Sequence, residues 1–201
     1  MKQPIDQQIQ SCLETLSHAI IVAKLNSEIH WIYKSKQTRP KYIQTMSYYW
    51  DFFHVSISAH FTAMVVALYS LYEKRKDTVN FSKLLESIKG KPQFSKDVLS
   101  DIDKIYRQAV PIWKKVCILR NHVFAHHSDN LDTSDAFKKA DITQREIEKL
   151  ITLSIQLLNE ISRNFNRNSW LFNLNSHDDT IRFLEDLNCL RGYRQQQYMK
   201  R

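Results

Sequence analysis

The residues best suited to chemistry stand close together in segment 119–129, which reads LRNHVFAHHSD. An arginine and an asparagine, Arg120 and Asn121, come before the adjacent histidines His126 and His127. An imidazole can carry protons near neutral pH, and a guanidinium can stabilise the negative charge that develops on a phosphate during cleavage. One interpretation of the segment is therefore phosphodiester cleavage, with Arg120 as the charge stabiliser and a histidine as the proton carrier.

Two other interpretations use the same side chains. His122 and His126 are four residues apart and would share one face of a helix, as metal ligands do, with Asp129 as a further ligand. Two histidines are too few for a metal site without a third ligand of known position. Cationic side chains also stabilise the C-terminal end of a helix, which is the purely structural interpretation. The spacing alone leaves all three open, and it does not decide whether His126 or His127 carries the proton.

The composition indicates long helices and argues against several classes of enzyme. The 201 residues include only 2 Gly and 4 Pro, and 43% of them are hydrophobic. With so few glycines the chain has no Gly-rich phosphate loop, which argues against a kinase or a nucleotidyltransferase. The 3 cysteines are widely spaced and form no CxxC pair, which is typical of reduced thiols in a cytosolic protein.

The chain is basic, and its positive charge favours a polyanionic partner. The 29 Lys and Arg residues against 21 Asp and Glu give a formal net charge of +8, as in many proteins that bind RNA or DNA. Aromatic residues alternate with basic ones in the C-terminal third, a mixture that suits RNA. The candidate RNA-binding residues there are Arg163, Arg167, Arg191 and Arg194. The alternative is that the basic residues beyond Leu190 form a disordered tail.

Apolar residues at helical spacing predict four main helices, at about residues 5–36, 44–73, 95–123 and 143–165. Two shorter helices are predicted at Phe81–Ile88 and Thr180–Leu190. The polar segment Ser128–Asp141 is predicted to be a loop.

The fourth main helix begins with a capping-box pattern, in which Thr143 is followed by Glu146. The sequence has no internal repeat, no long heptad run and no linker pattern. We therefore expect one all-α domain over residues 1–201. Its expected architecture is an up-and-down bundle of four main helices plus short ones, with a basic C-terminal tail from about residue 191.

The segment Phe52–Tyr72 is long enough to span a membrane and contains no Lys, Arg, Asp or Glu. Polar side chains interrupt it, among them His54 and His60, which favours a buried core helix. We expect both histidines to be hydrogen-bonded in that core. The N-terminus, MKQPIDQQIQ, lacks the pattern of a signal peptide. The chain is therefore expected to be cytoplasmic and to bind no membrane.

The segment Arg120–His126, RNHVFAH, resembles the RN-xxx-AH motif of the HEPN superfamily. The aromatic-rich segment Trp50–Tyr72 and the short apolar segment Phe81–Leu85 precede it, as in the AbiU-type abortive-infection branch of that superfamily. An acidic residue, Asp129, follows the motif as in that branch. The resemblance extends over Trp50–Leu158.

This resemblance implies a helical bundle that forms a homodimer, in which two copies of the motif face one cleft. Many such proteins are metal-independent endoribonucleases that act as toxins or in antiphage defence, so the expected substrate is RNA, and neither a metal nor another cofactor is expected. By position in the motif, Arg120 would contact the scissile phosphate, Asn121 would orient the arginine or the phosphate, and His126 would move protons. The accessory candidates are His127, His60 and Asp129. The expected protein partner is a cognate antitoxin or another defence-system protein.

One position departs from the family pattern. In HEPN proteins paired with a nucleotidyltransferase, a tyrosine two residues after the motif histidine is a modification target, and Ser128 stands there in this chain. Some HEPN domains are catalytically inactive and bind RNA, a nucleotide or a protein. Such a binding module is the alternative to the ribonuclease.

Overall fold

The structure, a computed structural model, describes residues 5–75, 77–125 and 133–199. These residues are helical or irregular and include no strand, so the all-α prediction is confirmed. The predicted main helices correspond to α1, α3, α5 and α7. The helices are α1 (Ile5–Lys34), α2 (Arg39–Tyr48), α3 (Trp50–Tyr72), α4 (Phe81–Ile88), α5 (Lys96–Ala125), α6 (Thr133–Ala140), α7 (Gln144–Asn166) and α8 (Ser176–Met199).

Where the sequence predicts one helix at residues 44–73, the structure has two, α2 and α3. The break between them is at Tyr49, whose φ of −108° and ψ of 45° are not helical. α2 also begins earlier than predicted, because Pro40 occupies its first turn. A proline is favourable there, since its fixed φ suits the helix and no hydrogen bond is lost.

Part of the predicted loop Ser128–Asp141 is a helix, α6, which packs against α5. Ala140, the last residue of α6, and Ile142, two residues later, are buried. The loop prediction is therefore wrong for residues 133–140. Tertiary packing stabilises a helix that the polar composition does not reveal. Residues 128–132 lie outside the described part of the chain.

The last helix, α8, is longer at both ends than the predicted Thr180–Leu190. It packs against α2, and its residue Leu184 is fully buried. The basic segment that begins at residue 191 belongs to this helix as far as Met199. The alternative of a disordered tail is therefore wrong for residues 191–199.

The chain divides into two compact units. Unit 1 comprises the described residues of Met1–Lys24 and Met64–Phe172, and unit 2 comprises those of Leu25–Ala63 and Asn173–Arg201. Within unit 1, α5 packs against both α6 and α7. Unit 2 has its own apolar cluster, formed by Ile32, Tyr33, Tyr42, Met46, Phe53 and Leu184. The prediction of a single domain over the whole chain stays a prediction.

Among the described residues, one helix, α3, has the length and apolar composition of a membrane span, and a core helix of a soluble protein can share both properties. Only 33% of its most apolar window is buried. The expectation of a buried core helix is therefore met by one face of α3 only. The exposed apolar residues of α3 are Trp50, Phe52, Val55 and Val66.

The predicted capping box is present at the start of α7. The backbone N–H of Glu146 donates to Thr143 Oγ1 at 3.2 Å, and the backbone N–H of Thr143 donates to Glu146 Oε2 at 2.8 Å. Lys115 Nζ on α5 donates to Glu146 Oε1 at 2.8 Å, and this contact lowers the pKa of Glu146. The capping box thereby joins the start of α7 to the helix that carries Arg120.

Candidate functional site

Arg120 and Asn121 lie near the end of α5, which continues as a helix through Pro111. Leu119 is fully buried, and on a helix the next side chain is rotated by about 100°. Arg120 is therefore half-buried at the edge of the packed face, while Asn121 is exposed. The buried face recurs at helical spacing and consists of Ile102, Ala109, Ile112, Trp113, Val116 and Leu119.

The guanidinium of Arg120 lies over the ring of Tyr69 on α3, with Cζ 4.8 Å from the ring centroid. Arg120 Nη1 also donates to Asn121 Oδ1 at 3.4 Å. A cation over an aromatic ring is attracted by the negative face of the ring. Tyr69 therefore restricts where the guanidinium can point. The sequence analysis missed this residue, because nothing in its spacing connects it to Arg120.

Tyr69 is in turn positioned by its neighbours in unit 1. Trp113 Nε1 on α5 donates to the backbone oxygen of Tyr69 at 3.0 Å. One turn further along α3, the buried Tyr72 hydroxyl is hydrogen-bonded to Ser154 Oγ on α7 at 2.8 Å. Burial raises the pKa of Tyr72, so this phenol stays neutral at physiological pH. The end of α3 is thus tied to both α5 and α7, and the ring under Arg120 has a defined place.

Removing this ring gives a test of its role. If Arg120 works on RNA, we expect Tyr69→Leu to lower kcat/KM for cleavage by up to about 30-fold, since a cation–π contact contributes ~0.5–2 kcal/mol. Tyr69→Phe keeps the ring and should stay within about 2-fold of the wild type. Single-turnover kinetics and thermal unfolding of both variants provide the measurement. Equal losses in both variants, or no loss in the leucine variant, would show that the ring does not position Arg120 for catalysis.

The histidines of the motif follow Arg120 and Asn121 in the sequence. His126, His127 and Asp129 lie outside the described residues, and of His122 only the helical backbone is described. α5 is helical as far as Ala125, so His126 directly follows its last described residue. Among the described residues, no three His, Cys, Asp or Glu side chains are grouped as metal ligands. The catalytic, metal and structural interpretations of the histidines therefore stay predictions.

His60, an accessory candidate, belongs to unit 2, where its Nδ1 lies 2.7 Å from Asn26 Oδ1. It is half-buried, and burial lowers its pKa, so the expectation of a hydrogen-bonded core histidine is met. The same expectation is wrong for His54, which is exposed and stacks on Trp50 with ring centroids 5.3 Å apart. The most buried histidine that the structure describes in unit 2 is His30, which the sequence analysis did not single out. Burial lowers the pKa of His30 to about 4 and keeps it neutral.

The four candidate RNA-binding arginines are divided equally between the two units. In unit 1, Arg163 is paired with Glu160 at 2.8 Å, and Arg167 is exposed at the C-terminal cap of α7 with φ of 60°. In unit 2, Arg191 is half-buried and donates to Gln44 Oε1 at 3.3 Å, so it joins α8 to α2. Arg194 is exposed and has no hydrogen-bond or ion-pair partner among the described residues. Arg167 and Arg194 are thus better placed than the other two to meet a phosphate.

A helical fold and an Arg–Asn pair near the end of a long helix are features of HEPN-type proteins. The sequence model of the HEPN_AbiU2 family, described as AbiU2, matches residues 6–183, and the chain therefore belongs to this family. The match begins in α1 and ends in α8, so it covers more of the chain than the predicted Trp50–Leu158. No curated protein and no solved structure matches the chain.

Proposed function

We propose that the protein is a metal-independent endoribonuclease that acts as a toxin or as an antiphage defence component. Membership of a HEPN family associates the chain with nucleases and abortive infection, and the proposal goes further. The observation that carries it is the Arg120 guanidinium over the Tyr69 ring, beside Asn121 and shortly before His126 in the chain. This arrangement provides a positioned cation for a phosphate, and the proposed proton carrier follows it in the sequence.

In the proposed reaction, the 2′-OH of the ribose attacks the adjacent phosphorus and displaces the 5′-oxygen of the next nucleotide. His126 moves the protons, taking one from the 2′-OH as a base or giving one to the 5′-oxygen as an acid. Arg120 stabilises the charge on the non-bridging phosphate oxygens. Asn121 accepts from Arg120 through Oδ1, and we assign its amide nitrogen as a donor to the phosphate. The products are a 2′,3′-cyclic phosphate and a 5′-hydroxyl end.

A dimer completes the chemistry of this site. The reaction needs both a base and an acid, and a single copy of the motif supplies one proton-carrying histidine. A second copy supplies the second imidazole. In unit 1 an exposed apolar residue, Val66, lies about one helical turn before Tyr69 on α3. We assign the surface around Val66 to the contact with the second copy.

We therefore expect light scattering to give a mass near twice the 23.9 kDa of one chain. Val66→Glu should produce a monomer that no longer cleaves RNA, because a charge would be buried at the contact. Leu171→Glu is the matched control, since it places the same charge on an exposed leucine of the irregular segment after α7. A wild-type monomer that cleaves RNA normally would rule out the shared site.

Incubation with mixed cellular RNA, with Arg120→Ala and His126→Ala beside the wild type, tests the activity itself. Cleavage by the wild type alone supports the ribonuclease. RNA that stays intact in all three samples while it binds the protein points to the inactive binding module. Because the proposed substrate is RNA, we propose that the protein acts in the cytoplasm. We also propose that an antitoxin or another defence-system protein inhibits its activity.

A further inference from the structure

An open pocket lies between α2 and α8 in unit 2 and has a volume of about 310 Å³. The described residues that line it are Tyr48, Arg194, Gln197 and Tyr198, and none of these is acidic. A pocket of this volume is at the small end of the range that holds small ligands, and it fits one flat ring system. We call it the α2–α8 pocket.

Hydrogen bonds between the two helices set up this pocket. The Tyr42 hydroxyl donates to Glu185 Oε1 at 3.3 Å, and the Thr45 hydroxyl donates to Asn188 Oδ1 at 2.7 Å. Both helices advance by three residues from the first contact to the second, so they run in the same direction. One further turn along α2 brings the chain to Tyr48. The pocket therefore continues a packed helix pair and does not depend on a loop.

The polar groups that line the pocket are not used to hold the fold, and the Tyr48 ring makes one edge-to-face contact, with Tyr49. Tyr48 is 52% exposed and Tyr198 is 74% exposed. The two hydroxyls, the Arg194 guanidinium and the Gln197 amide make no hydrogen bond within the described part of the chain. An aromatic ring left in water loses the burial that normally stabilises it. Such rings, next to an unpaired cation, are suited to binding a ligand.

The two helical segments that form the pocket contain basic residues and no acidic ones. α2, with the sequence RPKYIQTMSY, contains no Asp or Glu, and neither does the segment Cys189–Met199 of α8. The basic residues of these two segments are Arg39, Lys41, Arg191 and Arg194. Lys41 Nζ lies 4.0 Å from Oε1 of Glu185, an acidic residue that precedes the Cys189–Met199 segment of α8. A ligand for this surface should combine negative charge with flat rings.

We propose that the α2–α8 pocket binds a base of single-stranded RNA. Tyr48 and Tyr198 stack on the base, Gln197 contacts its polar edge, and Arg194 pairs with the neighbouring phosphate. Two rings and an amide favour a base over an acidic peptide, which would need further cations in place of the tyrosines. This inference rests on the proposed function in one respect, the choice of RNA as the polyanion. The pocket residues supply the rest of the argument.

Binding is measured separately from cleavage with a fluorescein-labelled, single-stranded, mixed-sequence RNA that is 2′-O-methylated at every ribose. This probe lacks the nucleophile and cannot be cut, so fluorescence anisotropy reports affinity alone. Tyr48→Ala and Tyr198→Ala should each weaken binding by about 10-fold, as expected when a base loses a stacking ring. Tyr48→Phe and Tyr198→Phe keep the rings and should bind like the wild type. Arg194→Gln should reduce the slope of log affinity against log salt by about 0.7.

Two residues of α8 provide matched controls. Tyr193 is 61% exposed but does not line the pocket, so Tyr193→Ala should bind like the wild type. Arg182 is paired with Asp179, so Arg182→Gln should leave the salt slope unchanged. A second probe of the same length, with abasic riboses, separates stacking from charge. The tyrosine variants should lose affinity for the base-bearing RNA and not for the abasic chain.

Three results would overturn the pocket. The tyrosine-to-alanine variants could bind the methylated RNA as tightly as the wild type, or the abasic chain could bind as tightly as the base-bearing RNA. A change in mass by light scattering in Tyr48→Ala or Tyr198→Ala would make the surface a contact between protein copies. Tyrosine-dependent binding by a protein that cuts no natural RNA would support the pocket and refute the ribonuclease. Cleavage of natural RNA by a protein whose binding does not depend on these tyrosines would support the ribonuclease and refute the pocket.

Discussion

Replacing His126 with alanine is expected to lower the rate of RNA cleavage by about 10²–10⁴-fold, which is the usual contribution of a positioned proton carrier. The proposed reaction moves a proton at the attacking 2′-OH and another at the leaving 5′-oxygen, and alanine can move neither. Single-turnover cleavage of a defined RNA gives the rate, and thermal unfolding shows whether the variant is folded. His127→Ala is the matched control, since it removes the adjacent imidazole.

Arg120→Ala should cause a loss of similar size, because no cation then faces the phosphate. Arg120→Lys keeps the charge but not the flat, forked guanidinium that lies over Tyr69, and it should recover little of the activity. Growth toxicity, if wild-type expression is toxic, should disappear in the same variants. An active His126→Ala beside an inactive His127→Ala would mean that the proton carrier is His127. Full activity in both histidine variants would refute the catalytic interpretation of the segment.

An RNA with 2′-deoxyribose at the scissile nucleotide should resist cleavage altogether. The proposed nucleophile is the substrate's own 2′-OH, and the deoxyribose lacks it. Cleavage of the all-ribose substrate should continue in excess EDTA and leave 2′,3′-cyclic phosphate and 5′-hydroxyl ends. Gel analysis of end-labelled RNA, with and without phosphatase treatment, identifies the ends.

The metal interpretation predicts the opposite pattern. A metal ion held by His122 and His126 would activate water as the nucleophile, so the missing 2′-OH would matter little. Activity would then be lost with the chelator and recovered when a divalent metal is returned. Chelator-sensitive cleavage that leaves 3′-hydroxyl ends would refute the 2′-OH mechanism and make the two histidines metal ligands. Chelator-resistant cleavage with cyclic phosphate ends would refute the metal site.

The sequence by itself determined those helices whose limits depend on neighbouring residues. α4 has the predicted bounds Phe81–Ile88, and the Asn80 side chain caps it by accepting from the backbone N–H of Lys83 at 2.9 Å. α7 begins after Thr143, as its capping box predicts. Such signals are readable because the groups that end a helix lie within three or four residues of each other. The family could also be predicted from the sequence, because the prediction used short segments and their order in the chain.

Only the tertiary structure decided the division between α2 and α3, the helix α6 and the length of α8. These depend on contacts between residues far apart in the chain, which override local propensity. The candidate site likewise depends on contacts between residues that are far apart in the chain. Arg120 could be named from its neighbours, but the Tyr69 ring under its guanidinium could not, because the packing of α3 against α5 brings the two together. Residue types near one another in sequence therefore indicated the chemistry, and long-range packing decided where the arginine is held.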